Sequence, residues 1–150
     1  MKTKLLFYVL LGLLGAPALG RTQAASGKPT IFVCGDSTAK NSGSGKNGEL
    51  VAGWGTPLAD FFDPAKVAIK NVAHAGTSSR TYYEGDWPTV LPQIQPGDFV
   101  LLVFGINDGS TPPGLGDETV LQNGRPVHTY GWYMSKMAAD ALEKGHVSIC

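Results

Sequence analysis

After an apolar N-terminal stretch, four short apolar runs punctuate the chain, and the first three lead into polar, glycine-containing segments. Thr30-Ile-Phe-Val-Cys34, bounded by Pro29 and Gly35, is β-branched at its start and predicts a strand buried on both faces. Val67 to Val72 predicts a second strand. Phe99-Val-Leu-Leu-Val-Phe104, after the turn Pro96-Gly97-Asp98, predicts a third, and Val147 to Cys150 begins a fourth. Between the first two, Thr56-Pro57 reads as an N-cap with proline at the first helical position. Leu58, Phe61 and Phe62 would share one face of that helix, and Asp63-Pro64 would end it. Residues 73–86 read as a polar loop, and Trp87 to Ile94 as a short helix interrupted by Pro88 and Pro92. A long irregular stretch is expected from Gly105 to about His128, and stretches of that length usually carry function or are disordered. Tyr130 to Lys144 predicts a helix with Met134, Met137, Ala138 and Leu142 on one face and Gly145 as its stop.

The order β, α, β, α, β, α, β predicts an α/β domain whose parallel sheet has helices on both faces. Sheets of this kind bind ligands at the carboxyl ends of their strands. The chemistry is therefore expected just after Cys34, Val72 and Phe104. There is no internal repeat or low-complexity tract.

The N-terminus changes the picture of what folds. Lys2 and Lys4 precede the run Leu5 to Leu14, broken only by Tyr8 and Gly12, and Ala18-Leu19-Gly20 supplies small residues for cleavage. That is the pattern of a secretory signal over residues 1–20, too short to span a bilayer, which takes about 20 apolar residues. Residues 21–28 read as a flexible leader and 29–150 as one domain, secreted to the extracellular space or periplasm after cleavage near Gly20. No membrane attachment is expected of the cleaved chain. Twelve basic residues balance twelve acidic ones, which gives no basic face for nucleic acid. Export permits disulfides, but Cys34 and Cys150 are expected to stay unpaired.

The candidate chemistry sits where the sheet places it. Gly35-Asp36-Ser37-Thr38 offers a hydroxyl. Asn71-Val-Ala-His-Ala-Gly76-Thr-Ser-Ser-Arg80 offers a glycine whose backbone N–H can approach a ligand closely. Gly105-Ile106-Asn107-Asp108-Gly109 offers a side-chain amide. Together they make a nucleophile and oxyanion donors, each from a different strand end. Gly-Asp-Ser and Asn-Asp-Gly are also ordinary turn sequences, and their placement after successive strands is what favours the catalytic reading. Gly43-Ser-Gly45-Lys-Asn-Gly48 fits a dinucleotide fingerprint, but it lies in a polar loop instead of opening a helix after a strand. There is no Gly-x-Ser-x-Gly elbow. The histidines share no metal-ligand spacing, so neither a metal nor any other cofactor is implied.

These residues resemble the SGNH (GDSL-like) hydrolases, with Gly35-Asp36-Ser37, Gly76 and Gly105-Ile106-Asn107-Asp108 matching blocks I, II and III. Gly35 to Lys40, Gly53-Trp-Gly55, Ser79-Arg80-Thr81, Pro96 to Phe99, Phe104 to Gly109 and His128 to Tyr133 further resemble rhamnogalacturonan acetylesterases, which deacetylate pectin. The resemblance implies a flavodoxin-like three-layer sandwich. It implies Ser37 as nucleophile, an oxyanion site of the Ser37 and Gly76 N–H groups and the Asn107 amide, and Asp36 and Asp108 in support. Arg80, His74 and His128 are substrate-binding candidates. Arg80 could grip a uronate carboxylate bidentately, or pair with an acid such as Asp86. No acid is evident beside His74.

The resemblance has two departures. Ile106 stands where that group usually has histidine, and the family's Asp-x-x-His block does not occur in the 150 residues. Glu143-Lys-Gly-His146 mimics its spacing at the opposite edge of the sheet. The chain is thus expected to be a fragment, stopping after about the fourth strand and nearly inactive as it stands. It would belong to a secreted carbohydrate esterase acting on an acetylated polysaccharide. A lipase- or thioesterase-like hydrolase and a non-catalytic glycan-binding fragment are the alternatives.

Overall fold

Phe32 and Cys34 sit directly beside Val100 and Leu102 in neighbouring parallel strands, and the core forms over these four side chains. The computed structural model describes residues 27–40, 43–44, 50–114, 119–145 and 147–149. The expected signal segment (residues 1–20), residues 21–26 of the expected leader, most of 41–49, residues 115–118, His146 and Cys150 lie outside the described residues.

Strands β1 (Thr30–Gly35), β4 (Ala68–Asn71), β5 (Phe99–Val103) and β8 (Val147–Ile149) form one parallel sheet in the order β4-β1-β5-β8. These are the four strands expected from the apolar runs. Between them the chain makes two small antiparallel pairs, β2 (Gly43–Ser44) with β3 (Leu50–Val51) and β6 (Thr119–Gln122) with β7 (Arg125–His128). Asp98, in the turn before β5, ties that turn to the start of β1: its Oδ1 accepts the Thr30 N–H at 2.7 Å and its Oδ2 the Gln95 N–H at 2.8 Å. β5 lies between β1 and β8, so the strand that carries Cys34 is not the neighbour of β8.

Three α-helices cover one face of the sheet: α1 (Ser79–Gly85), α2 (Trp87–Val90) and α3 (Tyr130–Glu143). Tyr82, Trp87, Val90, Met137 and Ala141 reach from them onto Phe32, Cys34, Val100 and Leu102. Each such aromatic or large aliphatic side chain stabilises the fold by about 1.5–3 kcal/mol on burial. The opposite face carries Ile31, Leu101 and Val103, which are half-buried, and Val33, which is fully buried. The described residues therefore show an α/β arrangement with α-helices on one face. The second helical layer of the expected three-layer sandwich is not among them.

Three local expectations are corrected. The segment after Thr56 is a single 3-10 turn over Pro57–Phe61; Thr56 makes no side-chain cap, and Phe61 is 80% exposed, so no apolar face is buried there. The stretch 73–86 contains α1. Its start is a capping box in which Ser78 accepts the Thr81 N–H at 3.1 Å and the Thr81 hydroxyl accepts the Ser78 N–H at 2.9 Å. The expected irregular stretch 105–128 contains the β6–β7 hairpin. Asn123 and Gly124, both with positive φ (52° and 75°), make its turn, as the mirror-type turns of two-residue hairpins require.

Candidate active site

Ser37 is exposed on a tight turn that β1 runs into. The Ala39 and Lys40 N–H groups both donate to the Asp36 carbonyl, at 3.2 and 3.1 Å. Asp36 is 1% exposed; its Oδ1 accepts the backbone N–H and the hydroxyl of Thr38, each at 2.8 Å, and its Oδ2 has no partner among the described residues. A second segment clamps the turn from outside. Gly53 N–H donates to the Lys40 carbonyl and Trp54 N–H to that of Thr38, both at 2.9 Å. A Cβ on Gly53 would stand 2.6 Å from both of these oxygens, and one on Gly55 would collide with the Ala39 carbonyl and the Asn71 amide. The Gly53-Trp54-Gly55 motif is thus a backbone docking surface. Asn71, at the end of β4, adds a bond from its Nδ2 to the Ala39 carbonyl at 2.7 Å.

The second and third segments meet directly. His74 N–H donates to the Gly35 carbonyl at 2.8 Å, carrying the β4 exit alongside the end of β1. Gly76 follows with φ +82°, a conformation costly to any residue with a Cβ. Beyond β5, Asn107 lies at φ −96° and ψ 5°, the sparsely occupied bridge region, and its Nδ2 donates to the Thr77 carbonyl at 3.0 Å. Asp108 accepts the Ser79 N–H at 3.1 Å on each oxygen and the Ser79 hydroxyl at 2.5 Å. An anion thus meets the first N–H of α1, where the helix dipole favours it. Gly76 and Asn107 are brought together through these contacts. Ser37 reaches the same sheet edge because β1 lies between β4 and β5.

The remaining candidates have protein partners. Arg80 stands in α1, not on a loop; its Nε donates to Glu84 at 3.1 Å and its Nη1 to Gln122 of the hairpin at 3.2 Å. Its acid is Glu84, not Asp86. Asp86 instead lies 2.9 and 3.1 Å from Nδ1 of His74, the orienting acid the sequence did not reveal. A carboxylate at this distance accepts a hydrogen bond from Nδ1–H and orients the ring. His128 stacks on Trp132 at 3.7 Å between centroids, and its Nδ1 is 3.3 Å from the Thr119 hydroxyl. Glu143, the acid of the mimic spacing, ends α3.

Buried groups under the site are held neutral. Burial pushes the Cys34 thiol up to about 12, against a smaller lowering by its hydrogen bond with Tyr82. Burial, and then Cys34, push the Tyr82 phenol up, and its hydroxyl donates to the Val72 carbonyl at 3.0 Å. Among the described residues, no group of three or more His, Cys, Asp or Glu side chains could hold a metal ion.

The chain as a whole is similar to known proteins named as esterases. The chain is distantly similar to rhamnogalacturonan acetylesterases and to the esterase YxiM, members of the SGNH family. It is 36% identical to the rhamnogalacturonan acetylesterase of Emericella nidulans, over 77% of this chain and 49% of that protein. It is 33% identical to the probable rhamnogalacturonan acetylesterase YesY of Bacillus subtilis, over the same shares of each. The crystal structure of Bacillus subtilis YxiM superimposes with a TM-score of 0.60 at 26% identity, over 81% of this chain and 31% of that one. The chain spans about half the length of these acetylesterases. No protein-family model matches it.

Proposed function

We propose that this chain carries the nucleophile and oxyanion half of a secreted carbohydrate esterase that removes O-acetyl groups from pectic polysaccharide. Ser37 Oγ attacks the acetyl carbonyl. The N–H groups of Ser37 and Gly76 and the Asn107 amide hold the tetrahedral oxyanion, and each such donor typically contributes roughly 2.7–4 kcal/mol. The observation that carries this reading is the convergence of three strand ends in one sheet order, with Asn107 anchored on the loop that follows Gly76. The proton of Ser37 passes to the histidine of an Asp-x-x-His block that these 150 residues do not contain. Similarity to the acetylesterases supports the acetyl group, and their name supports the pectic substrate.

The test is acetate release from acetylated rhamnogalacturonan by the protein in its complete genomic reading frame, beside Ser37→Ala. Release abolished by that substitution is the expected result. Ser37-dependent hydrolysis confined to long-chain esters would point to a lipase-like enzyme instead.

A further inference from the structure

His74 stands at the head of the turn that carries Gly76 and is tied in three directions. Its N–H donates to the carbonyl of Gly35, close before Ser37, at 2.8 Å. Its own carbonyl accepts the Thr77 N–H at 3.4 Å and the Thr77 hydroxyl at 2.7 Å, which closes the turn around Gly76. Its imidazole Nδ1 meets both oxygens of Asp86. Thr77 in turn accepts one Asn107 amide hydrogen on its carbonyl, which leaves the other free to donate. The Gly76 N–H and the Asn107 amide therefore both hang from the segment between His74 and Thr77.

The far end of the His74–Asp86 contact is rigid. Asp86 closes α1 and opens α2. Its N–H donates to the Tyr82 carbonyl at 2.9 Å, and its carbonyl accepts the N–H and hydroxyl of Thr89 at 3.0 and 2.8 Å. Tyr82 and Trp87, on either side of it, are core residues. The turn has no such ballast. Ala75 and Gly76 are exposed. Glycine takes positive and negative φ about equally readily, so the ends of the turn, not its own preference, hold Gly76 at φ +82°.

We propose that His74 is a positioning residue for the oxyanion site: through Asp86 it fastens the Gly76 turn to the helix layer, and so aims the Gly76 N–H and the Asn107 amide. The inference rests on the esterase reading above and gives His74 no contact with substrate. The side chains of His74 and Asp86 are 56% and 33% exposed. A pair this open to water shifts a local equilibrium by no more than about fivefold. The expected effect is of that size, far below the roughly 10²–10³-fold loss on removing an oxyanion donor outright.

The experiment measures acetate release from acetylated rhamnogalacturonan by the protein in its complete genomic reading frame, counted per Ser37 titrated with a fluorophosphonate. His74→Ala and Asp86→Ala should each lower kcat about threefold to fivefold and leave KM unchanged, because the oxyanion exists only after attack. The double variant should lose no more than either single one, since the two side chains act as a unit. His74→Asn places an amide N–H where Nδ1–H stands and should restore most of the rate. Amide hydrogen exchange over residues 74–78 should rise in His74→Ala and stay unchanged in β5. An unmoved kcat, unmoved exchange, additive losses, or a rise in KM alone would overturn the proposal, the last by making His74 a substrate contact. A parent without Ser37-dependent release would defeat the esterase reading itself, and exchange over 74–78 shows separately whether His74 holds the turn.

Discussion

Asp108 holds Ser79 by both its backbone N–H and its hydroxyl, and so fastens the segment after β5 to the first turn of α1. Ser79 is completely buried, so water cannot replace the lost acceptor. Asp108→Ala should therefore destabilise the fold by about 2–3 kcal/mol. Asp108→Asn keeps an acceptor oxygen and should cost about half as much. Urea denaturation of the two variants beside the parent measures both, and equal losses would remove the special role of the acceptor.

Two glycines of the site should respond differently to alanine. Around Gly76 a Cβ would meet nothing within 4 Å, so Gly76→Ala pays only for positive φ, about 1–2 kcal/mol. At Gly53 the same atom would press on the carbonyls of Thr38 and Lys40 at 2.6 Å, and the turn that bears Ser37 must shift. Gly53→Ala should lose more stability than Gly76→Ala in thermal unfolding. The reverse order would mean that the clamp yields easily.

Cys34 supplies a pH prediction. Its thiol is raised by burial from 9.0 in the unfolded chain to about 12 in the folded one. Above pH 9 the unfolded state loses this proton first, so the stability the group contributes is complete below about pH 9 and is lost as pH rises towards 12. In a Cys150→Ser background, the native chain should resist alkylation at pH 8 and react fully in denaturant. Cys34→Ala should flatten part of the alkaline fall in stability.

Expressed as these 150 residues alone, the chain should hydrolyse a chromogenic acetate ester far more slowly than a complete acetylesterase. Triad enzymes stripped of a member retain roughly 10³–10⁴-fold catalysis over water, so a trace of Ser37-dependent rate is the upper expectation. A full-strength rate abolished by Ser37→Ala would mean an internal base, and the His74–Asp86 pair would be the first to remove.

The strands of the central sheet were legible because their apolar runs are buried whatever the detail of the tertiary structure. Phe32, Cys34, Val100 and Leu102 needed only strand periodicity. Helix α1 was not legible in the same way. Its first turn is polar, and Ser78 and Ser79 are buried because Thr81 and a distant Asp108 satisfy them. The cap signature also carries Thr81 where glutamate or glutamine is the usual signal. The hairpin does leave a sign, Asn123-Gly124 between β-like residues, but its strands are only four residues each and stand within a long stretch rich in glycine and proline. The partners of His74 and Arg80 depend on α1: once that helix forms, Glu84 falls one turn after Arg80 and Asp86 caps the end nearest His74.

The Gly53–Lys40 and Trp54–Thr38 bonds close a ring whose twelve intervening residues enter and leave at fixed points. Doubling the length of such a loop costs only about 0.6 kcal/mol in closure entropy. Changes in length between Lys40 and Gly53 should therefore cost little in stability while both backbone bonds hold the turn that bears Ser37.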